Sequence, residues 1–161
     1  MGWRRVTTID LLLAQIDQAY NRRSWHGTNL RGSVRGLTHD EAAWRPHGDR
    51  HSIQELVVHA AYWKYVVRRR LTGEKRGSFP LEGSNWFPRT QADANAWRAD
   101  LRLLDQCHRR LRETVAGLTP PRLHRTAGGS TTGLALVTGI IAHDLYHAGQ
   151  IQLLKRMRED G

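Results

Sequence analysis

Two histidines near the end of the chain have a spacing that suits chemistry. His143 and His147 are four residues apart, so on a helix both imidazoles project from one face. Spacing alone is weak evidence, because the chain has nine histidines and His47 and His51 share the same separation in a predicted loop. The later pair differs because the residues before and after it on the same helix face are apolar. This apolar stripe predicts that the two imidazoles are buried and need polar partners. The stripe continues through Leu136, Ile140, Ile151 and Leu154.

A third histidine, His59, falls on the inward face of another predicted helix, beside Leu56 and Trp63. Three buried imidazoles satisfy one another poorly as hydrogen-bonding groups, but they suit a cation well. We therefore predict that His59, His143 and His147 hold one divalent metal ion, with zinc and nickel the commonest choices for nitrogen-rich sites. The alternative is a set of core histidines bonded to backbone or tyrosine groups.

Three polar neighbours of these histidines are further candidates. Gln150 lies one turn beyond His147 and could donate to a bound water or substrate. Glu55 lies one turn before His59, where a helix cap is the first interpretation and a general base the second. Asp144 lies about a quarter-turn from the ligand face, which predicts either support of a ligand or a surface ion pair.

Three neutral imidazoles would leave a metal with at least one open coordination position, which is typical of catalytic sites. Such an ion lowers the pKa of a bound water to about 7 or holds a thiolate directly. Hydrolysis and thiol transfer are therefore the two reactions that this pattern favours.

Four predicted helices position these residues. Three of them open with a capping pattern, and the fourth follows a stretch rich in glycine and threonine. We expect no strand, and the fold class is therefore all-α, a four-helix bundle that forms a single domain over residues 1–161. The openings are Thr7 to Asp10, Ser52 to Glu55 and Thr90 to Asp93, and the last helix runs from about Thr132 to Met157.

The connections between the helices add two predictions. A capped turn at Thr38 to Glu41 interrupts the first connection. The second connection, Gly73 to Arg89, is long for a helix hairpin, which predicts a crossover that makes the second and third helices parallel. Phe79, Trp86 and Phe87 would pin this crossover to the helices.

His59 is predicted about two turns into its helix, so the metal should lie near the loop between Gly27 and His51. Apolar walls with a cationic rim suit a small anionic substrate, such as a thiol that carries carboxylates. The alternative is that these loop residues merely cap the bundle. The residues expected near the site are Trp25, His26, Trp44, Arg45, His47, Arg50 and His51.

Composition gives an expected compartment. The chain has one cysteine, Cys107, so it has no intramolecular disulfide, which fits a reducing cytoplasm. Its longest apolar run, around residues 134–142, is too short to span a bilayer. We expect a cytoplasmic protein that does not bind membranes.

The net charge of +10 raises the question of nucleic acid. The arginines are scattered, and the densest cluster, Arg68 to Arg70, falls in the last turn of a predicted helix, where cations suit the macrodipole. The sequence lacks a zinc-finger spacing or a phosphate loop. We expect no specific nucleic-acid site.

The last predicted helix is apolar over more than half of its circumference. Val137, Ile141 and Leu145 lie on a different face from the two histidines, which predicts a homodimer. A central helix in a tight bundle would give the same pattern.

Two stretches carry a resemblance to a known family. The residues from Ser52 to Leu56 with His59, and the closing pattern His143-Asp144-x-Tyr146-His147-x-Gly149-Gln150-Ile151, resemble the DinB-like superfamily. The resemblance implies an up-down-down-up bundle of four helices with its metal ligands at His59, His143 and His147, often as a dimer. It also implies activities such as metal-dependent transfer of low-molecular-weight thiols, thiol-dependent isomerisation and hydrolysis.

Three function hypotheses follow from these patterns. The first is a metal-dependent hydrolase or thiol-dependent transferase that acts on a small molecule. The second is a non-catalytic stress protein that binds a metal or another ligand. The third is a nucleic-acid-associated protein of the damage response, which salt-dependent DNA binding would favour.

Overall fold

The computed structural model describes residues 5–47, 50–89 and 93–160, and the elements it contains in these ranges are helices without strands. The predicted all-α fold is therefore confirmed. Four helices are long and three are short. They are α1 (Thr8–Tyr20), α2 (Leu30–Ser33), α3 (His39–Ala43), α4 (Ile53–Thr72), α5 (Ala94–Ala116), α6 (Pro120–His124) and α7 (Gly133–Glu159).

Side-chain caps fix where most helices begin. Thr7, Thr38 and Ser52 each close a capping box with the acidic residue three positions later, as the sequence predicts for α1, α3 and α4. Asp93 caps α5 by accepting from the Ala96 backbone N–H at 2.7 Å. Thr90, which the sequence analysis expected in the α5 cap, lies outside the described residues.

Each of the four long helices packs against two of the others. Helix α4 contacts α5 and α7, and α1 contacts the same two helices from the other side. Apolar side chains fill the space between them, and one face of α5 is buried through most of its length. The buried residues of that face include Trp97, Leu104, His108, Leu111 and Val115.

Polar groups also lie in this interior, and they pair across helices. Gln54 of α4 donates to Asp100 of α5 at 2.8 Å, and both side chains are buried. Lys64 of α4 forms an ion pair with Asp144 of α7, and both are almost completely buried. A buried polar group without a partner is costly, so these pairs help to fix which helix faces lie together.

The connection from α4 to α5 lies against the helices through its aromatic residues. Phe87 is buried, and Phe79 and Trp86 pack against the same core, which confirms the predicted anchoring. At the end of this connection, Arg89 donates its backbone N–H to Glu55 and its guanidinium to Asp100. The loop is therefore held to the first turn of α4.

Helix α7 differs in one respect from the sequence prediction. Val137 is fully buried inside the chain, and Ile141 packs against the same apolar cluster. The face that was assigned to a partner subunit is therefore core at Val137, which belongs to one apolar cluster with residues of α1, α4, α5 and α6. Among the described residues, no helix has the length and apolarity needed to cross a membrane.

Candidate metal centre

His59, His143 and His147 meet between α4 and α7. The Nε2 atom of His143 lies 3.2 Å from Nε2 of His59 and 3.0 Å from Nε2 of His147. One ligand nitrogen from each ring can be chosen so that all three lie within 4.8 Å of one another. The three histidines that the sequence analysis selected are thus brought together with their Nε2 atoms facing a common point.

The far nitrogens of two of these rings are held by oxygen acceptors. Nδ1 of His59 lies 2.8 Å from the backbone carbonyl oxygen of Asn85, which can only accept a hydrogen bond. Nδ1 of His147 lies 2.7 Å from Oε1 of Gln150. Both rings therefore carry their proton on Nδ1, and each directs an Nε2 lone pair towards His143.

Burial keeps these imidazoles neutral. It lowers the pKa of His59 to about 4 and that of His143 to about 3, and it also lowers the pKa of His147. The neighbouring histidines add to the shift for His59 and His143. Neutral imidazole is the form that binds a metal, so the ligand set does not need to lose protons near neutral pH.

The donor set fits a transition-metal ion. In a tetrahedral zinc site with Zn–N distances of 2.0–2.1 Å, neighbouring nitrogens are roughly 3.3 Å apart. The two Nε2–Nε2 distances given above lie close to that value, and the three ligand atoms together lie within 4.8 Å of one another. Protein groups alone satisfy the cluster poorly, because the Nε2 lone pairs of His59 and His147 compete for one proton of His143. A cation at the common point would use all three lone pairs.

A column of stacked rings covers one side of the centre. Trp86 stacks on His59 with ring centroids 3.9 Å apart, and His51 stacks on the other face of Trp86 at 3.5 Å. Nδ1 of His51 is within hydrogen-bond distance of Glu55. The loops on either side of α4 are therefore joined through Trp86.

Asn85 was not expected at the site. It has a left-handed backbone conformation with φ 63°, and it is the only residue other than glycine with positive φ in the described ranges. Its carbonyl accepts from His59 and its side-chain Oδ1 accepts from Nε1 of Trp63 at 2.9 Å. An asparagine two residues after Gly83 suggests a turn, but no sequence pattern indicates that this turn folds back onto His59.

A cavity of about 900 Å³ opens beside the three histidines. Its walls are mainly apolar, and its described lining residues include no aspartate or glutamate. The cationic residue Arg50, in the loop before α4, lies at this cavity, as predicted. The lining consists of Pro46, His47, Arg50, His51, Leu56, His59, Trp63, Asn85, Trp86, His143, Tyr146, His147, Gln150, Leu153, Leu154 and Met157.

The loop residues named from the sequence divide into two groups. His47, Arg50 and His51 line the cavity, whereas Trp44 and Arg45 are not among its lining residues. Trp25 and His26 are exposed in the loop after α1, which ends at Tyr20. The sequence pattern predicts a first helix that ends in Trp25 and His26. This prediction is wrong, because Asn21 caps α1 at its C-terminus, and neither residue lines the cavity.

Glu55 forms the capping box of α4 and is buried. Burial alone would raise its pKa, but hydrogen bonds from Arg45, the Arg89 backbone and His51 outweigh that effect and hold the pKa below its usual range. Its carboxylate is thus engaged by several donors and does not line the cavity. The geometry supports the cap, and the general-base role stays a prediction.

The other two polar candidates have clear positions. Gln150 lines the cavity and contacts His147, so it supports a ligand in addition to facing the space where a substrate would bind. Asp144 is buried and paired with Lys64, so the surface ion pair expected for it is wrong. The reason is that α4 covers this side of α7.

Comparison with known proteins identifies the family. The model of the DinB superfamily matches residues 22–151, which include His59, His143 and His147. No curated protein and no solved structure matches the chain. The match covers most of the chain, and the chain therefore belongs to the DinB superfamily.

Proposed function

We propose that the chain binds one divalent transition metal through His59, His143 and His147 and uses it to act on a small molecule, by hydrolysis or by transfer of a thiol. The observation that carries the proposal is the convergence of three neutral imidazoles whose Nε2 atoms face one point. Zinc and nickel are the commonest metals for such nitrogen-rich sites.

A bound divalent cation would act as a Lewis acid that lowers the pKa of a water molecule or of a thiol. The chain supplies the remaining parts of the site. Asn85 and Gln150 would orient two of the ligands, and Trp63 and Trp86 supply apolar walls beside the centre. Arg50, which is exposed at the cavity, would attract an anionic substrate, such as a thiol that carries carboxylates.

A thiol nucleophile would have to come from outside the chain. Cys107 is the only cysteine, and it is buried in the core away from the residues that line the cavity. Burial raises the pKa of its thiol to about 11, so it is protonated at neutral pH. A transferred thiol would therefore be a separate low-molecular-weight molecule, and water would be the nucleophile in hydrolysis.

We further propose that α1, α4, α5 and α7 form a four-helix bundle with up-down-down-up topology. Pairs of residues near corresponding ends support α4 parallel to α5. Pairs in which the residue number rises along one helix and falls along the other support α1 antiparallel to α5 and α7 antiparallel to α4. The pairs are Gln54–Asp100 and Arg68–Arg110 for α4 with α5, Asp17–Arg112 and Tyr20–Asp105 for α1 with α5, and His59–His147 and Lys64–Asp144 for α4 with α7.

The metal assignment is tested by elemental analysis of protein purified without a histidine tag. We expect about one divalent ion per chain, and His143→Ala should remove it, because two imidazoles hold a transition metal weakly. His124→Ala, which alters an exposed histidine of α6, is the matched control and should keep the metal. Full retention of metal by His143→Ala would overturn the assignment.

The reaction class is tested with metal-loaded protein on small esters, amides and epoxides, with and without low-molecular-weight thiols. We expect turnover of one of these groups by the parent protein and its loss in His59→Ala. Turnover only when a thiol is present would identify a transferase, and turnover without it a hydrolase.

The second candidate is a protein that binds a metal or ligand without catalysis. It is favoured by the absence of a carboxylate among the described residues that line the cavity, because general bases in hydrolases are often carboxylates. If the parent and His59→Ala are equally inert on the whole panel, and if no small ligand changes the spectrum of the cobalt-substituted protein, this second function replaces the first.

A further inference from the structure

We propose that Asn85 is a positioning residue that holds His59 in the tautomer needed for metal binding, through the left-handed conformation of its backbone. This inference rests on the proposed function. It adds a residue from the loop between α4 and α5 to a centre whose three ligands come from α4 and α7.

The first step is the hydrogen bond from Nδ1 of His59 to the Asn85 carbonyl, at 2.8 Å. Because a carbonyl oxygen can only accept, this contact places the ring proton on Nδ1 and leaves the lone pair on Nε2. That lone pair is directed at Nε2 of His143, the point where the three rings meet. An acceptor on the far nitrogen both orients a ligating imidazole and makes it more basic.

The second step is the conformation that brings this carbonyl to His59. Asn85 has φ 63°, a region that side-chain-bearing residues rarely adopt, although asparagine tolerates it better than most. Its side chain is exposed, so burial of the side chain does not explain the conformation. Strained backbone of this kind persists where the surroundings hold it in place and is concentrated at functional sites.

The third step is what holds the conformation. Oδ1 of Asn85 accepts from Nε1 of Trp63, and the next residue, Trp86, stacks on His59. The two tryptophans line the cavity, so Asn85 links the wall of the cavity to one ligand of the centre. The backbone carbonyl does the positioning, while the side-chain contact with Trp63 supports it.

Two substitutions distinguish the effect of the Asn85 backbone conformation from that of the Asn85 side chain. Asn85→Gly keeps a positive φ without strain and keeps the carbonyl, so we expect its affinity for cobalt(II) within about threefold of the parent. Asn85→Ala favours negative φ, which turns the carbonyl away from His59, so we expect cobalt(II) affinity to fall about 10- to 100-fold. Absorption titration with cobalt(II) measures both affinities.

The tautomer itself can be read without any metal. Nitrogen-15 NMR of the His59 ring, assigned with His59→Gln, should report a proton on Nδ1 in the metal-free parent and in Asn85→Gly. In Asn85→Ala the ring should become a mixture of the two tautomers. This measurement tests Asn85 even if the parent binds no cobalt(II), a result that would overturn the proposed function and leave the tautomer readout intact.

Gly36→Ala is the control for backbone strain, because Gly36 has φ 77° in a remote loop with open space around its Cβ position. It should lower the thermal stability and leave the His59 tautomer and the cobalt(II) affinity unchanged. The proposal is overturned if Asn85→Ala keeps the parent tautomer and affinity, or if Asn85→Gly loses both as fully as Asn85→Ala does.

Discussion

At the scale of single residues, Gln150 has two possible roles, because its side chain contacts His147 and also faces the cavity. The sequence placed it one turn beyond His147, which suggested a donor to water or substrate. The contact at Nδ1 of His147 is a different role, since it fixes the tautomer of a ligand. The helical spacing was enough to place Gln150 beside His147. It did not show whether the Gln150 side chain would contact His147 or face a substrate.

We predict that Gln150→Leu weakens metal binding about 10- to 100-fold, because Nδ1 of His147 loses its acceptor. Gln152→Leu is the matched control, since Gln152 is on the same helix and is not among the residues that line the cavity. Competition with a chelator of known affinity measures the dissociation constant of each variant. Equal constants for the two variants would contradict the role of Gln150.

A second residue-scale prediction concerns His108, which is buried against Tyr20 with ring centroids 3.5 Å apart. Burial lowers its pKa to about 2, and the positive charges of Lys64 and Arg112 add to the shift. Above about pH 6.5 the folded and unfolded states are both neutral at this residue. Below it the unfolded chain binds a proton that the folded chain does not, so the free energy of unfolding falls as the pH decreases.

The contribution of His108 should be about 1.4 kcal/mol per pH unit between roughly pH 6 and pH 3. His108→Phe keeps a ring on Tyr20 and should give a shallower loss of stability with decreasing pH. Urea unfolding of the metal-free protein at several pH values measures this slope. His26→Phe, at an exposed histidine, should retain the parent slope, and a parent-like slope in His108→Phe would contradict the prediction.

The histidines of the centre could be predicted from the sequence, whereas the role of Asn85 could not. The three clustered histidines were predictable because a helix of known period carries His143 and His147 at one spacing, and because His59 lies on an inward stripe. Asn85 was not predictable in the same way. Its role depends on how the connection between α4 and α5 folds. The anchoring of that connection by Phe79, Trp86 and Phe87 was predicted, but no local pattern indicates that the Asn85 carbonyl turns towards His59.

At the scale of elements, helix starts were predictable because capping boxes are local. Thr7, Thr38 and Ser52 accept hydrogen bonds from residues three positions away, so the signal is complete within four residues. The short helices α2 and α6 were not predicted, since four or five residues give too little periodicity. The burial of Asp144 was missed because the sequence does not say which neighbour covers a helix face.

The buried ion pair between Lys64 and Asp144 joins α4 to α7 and gives an element-scale prediction. Lys64→Met should lower the free energy of unfolding by about 3–5 kcal/mol, because it leaves a buried carboxylate without its partner. The double variant with Asp144→Leu should recover most of that loss, since it removes both charges. Chemical denaturation of the parent, both single variants and the double variant measures the coupling.

An exposed pair offers the comparison. Arg158→Met breaks the pair with Glu41 near the end of α7, where solvent screens the charges, and should change stability much less. The prediction is contradicted if the double variant at Lys64 and Asp144 loses as much free energy of unfolding as the two single variants lose in sum. In that case the two charges do not stabilise each other.

At the scale of the whole molecule, the positive charge is partly balanced by local pairing. Arg31, Arg112 and Arg158 each form an ion pair with an acidic side chain. Ion pairs of this kind are typical of a solvated basic surface. They do not by themselves form a site that recognises nucleic-acid bases. The absence of a specific nucleic-acid site stays a prediction.

We propose that the chain forms a homodimer through α7, although not through the face first considered. The large apolar side chains exposed on α7 in the described ranges are Tyr146, Leu153 and Met157. Light scattering at micromolar concentration should give about twice the chain mass of 18.4 kDa, and Leu153→Glu should reduce it. Leu11→Glu, at a leucine of α1 with the same 59% exposure, should not reduce it. A parent mass near 18.4 kDa would contradict the dimer.

The stacking of Trp86 on His59 makes one tryptophan a natural optical reporter of the centre. Nickel and cobalt quench indole fluorescence at short range, whereas zinc, with its filled d shell, does so far less. The emission of the unlabelled protein would therefore register both the arrival of a metal and its electronic type. Occupancy could then be followed in real time during reconstitution, and a cell extract could be screened for the metal that the protein acquires.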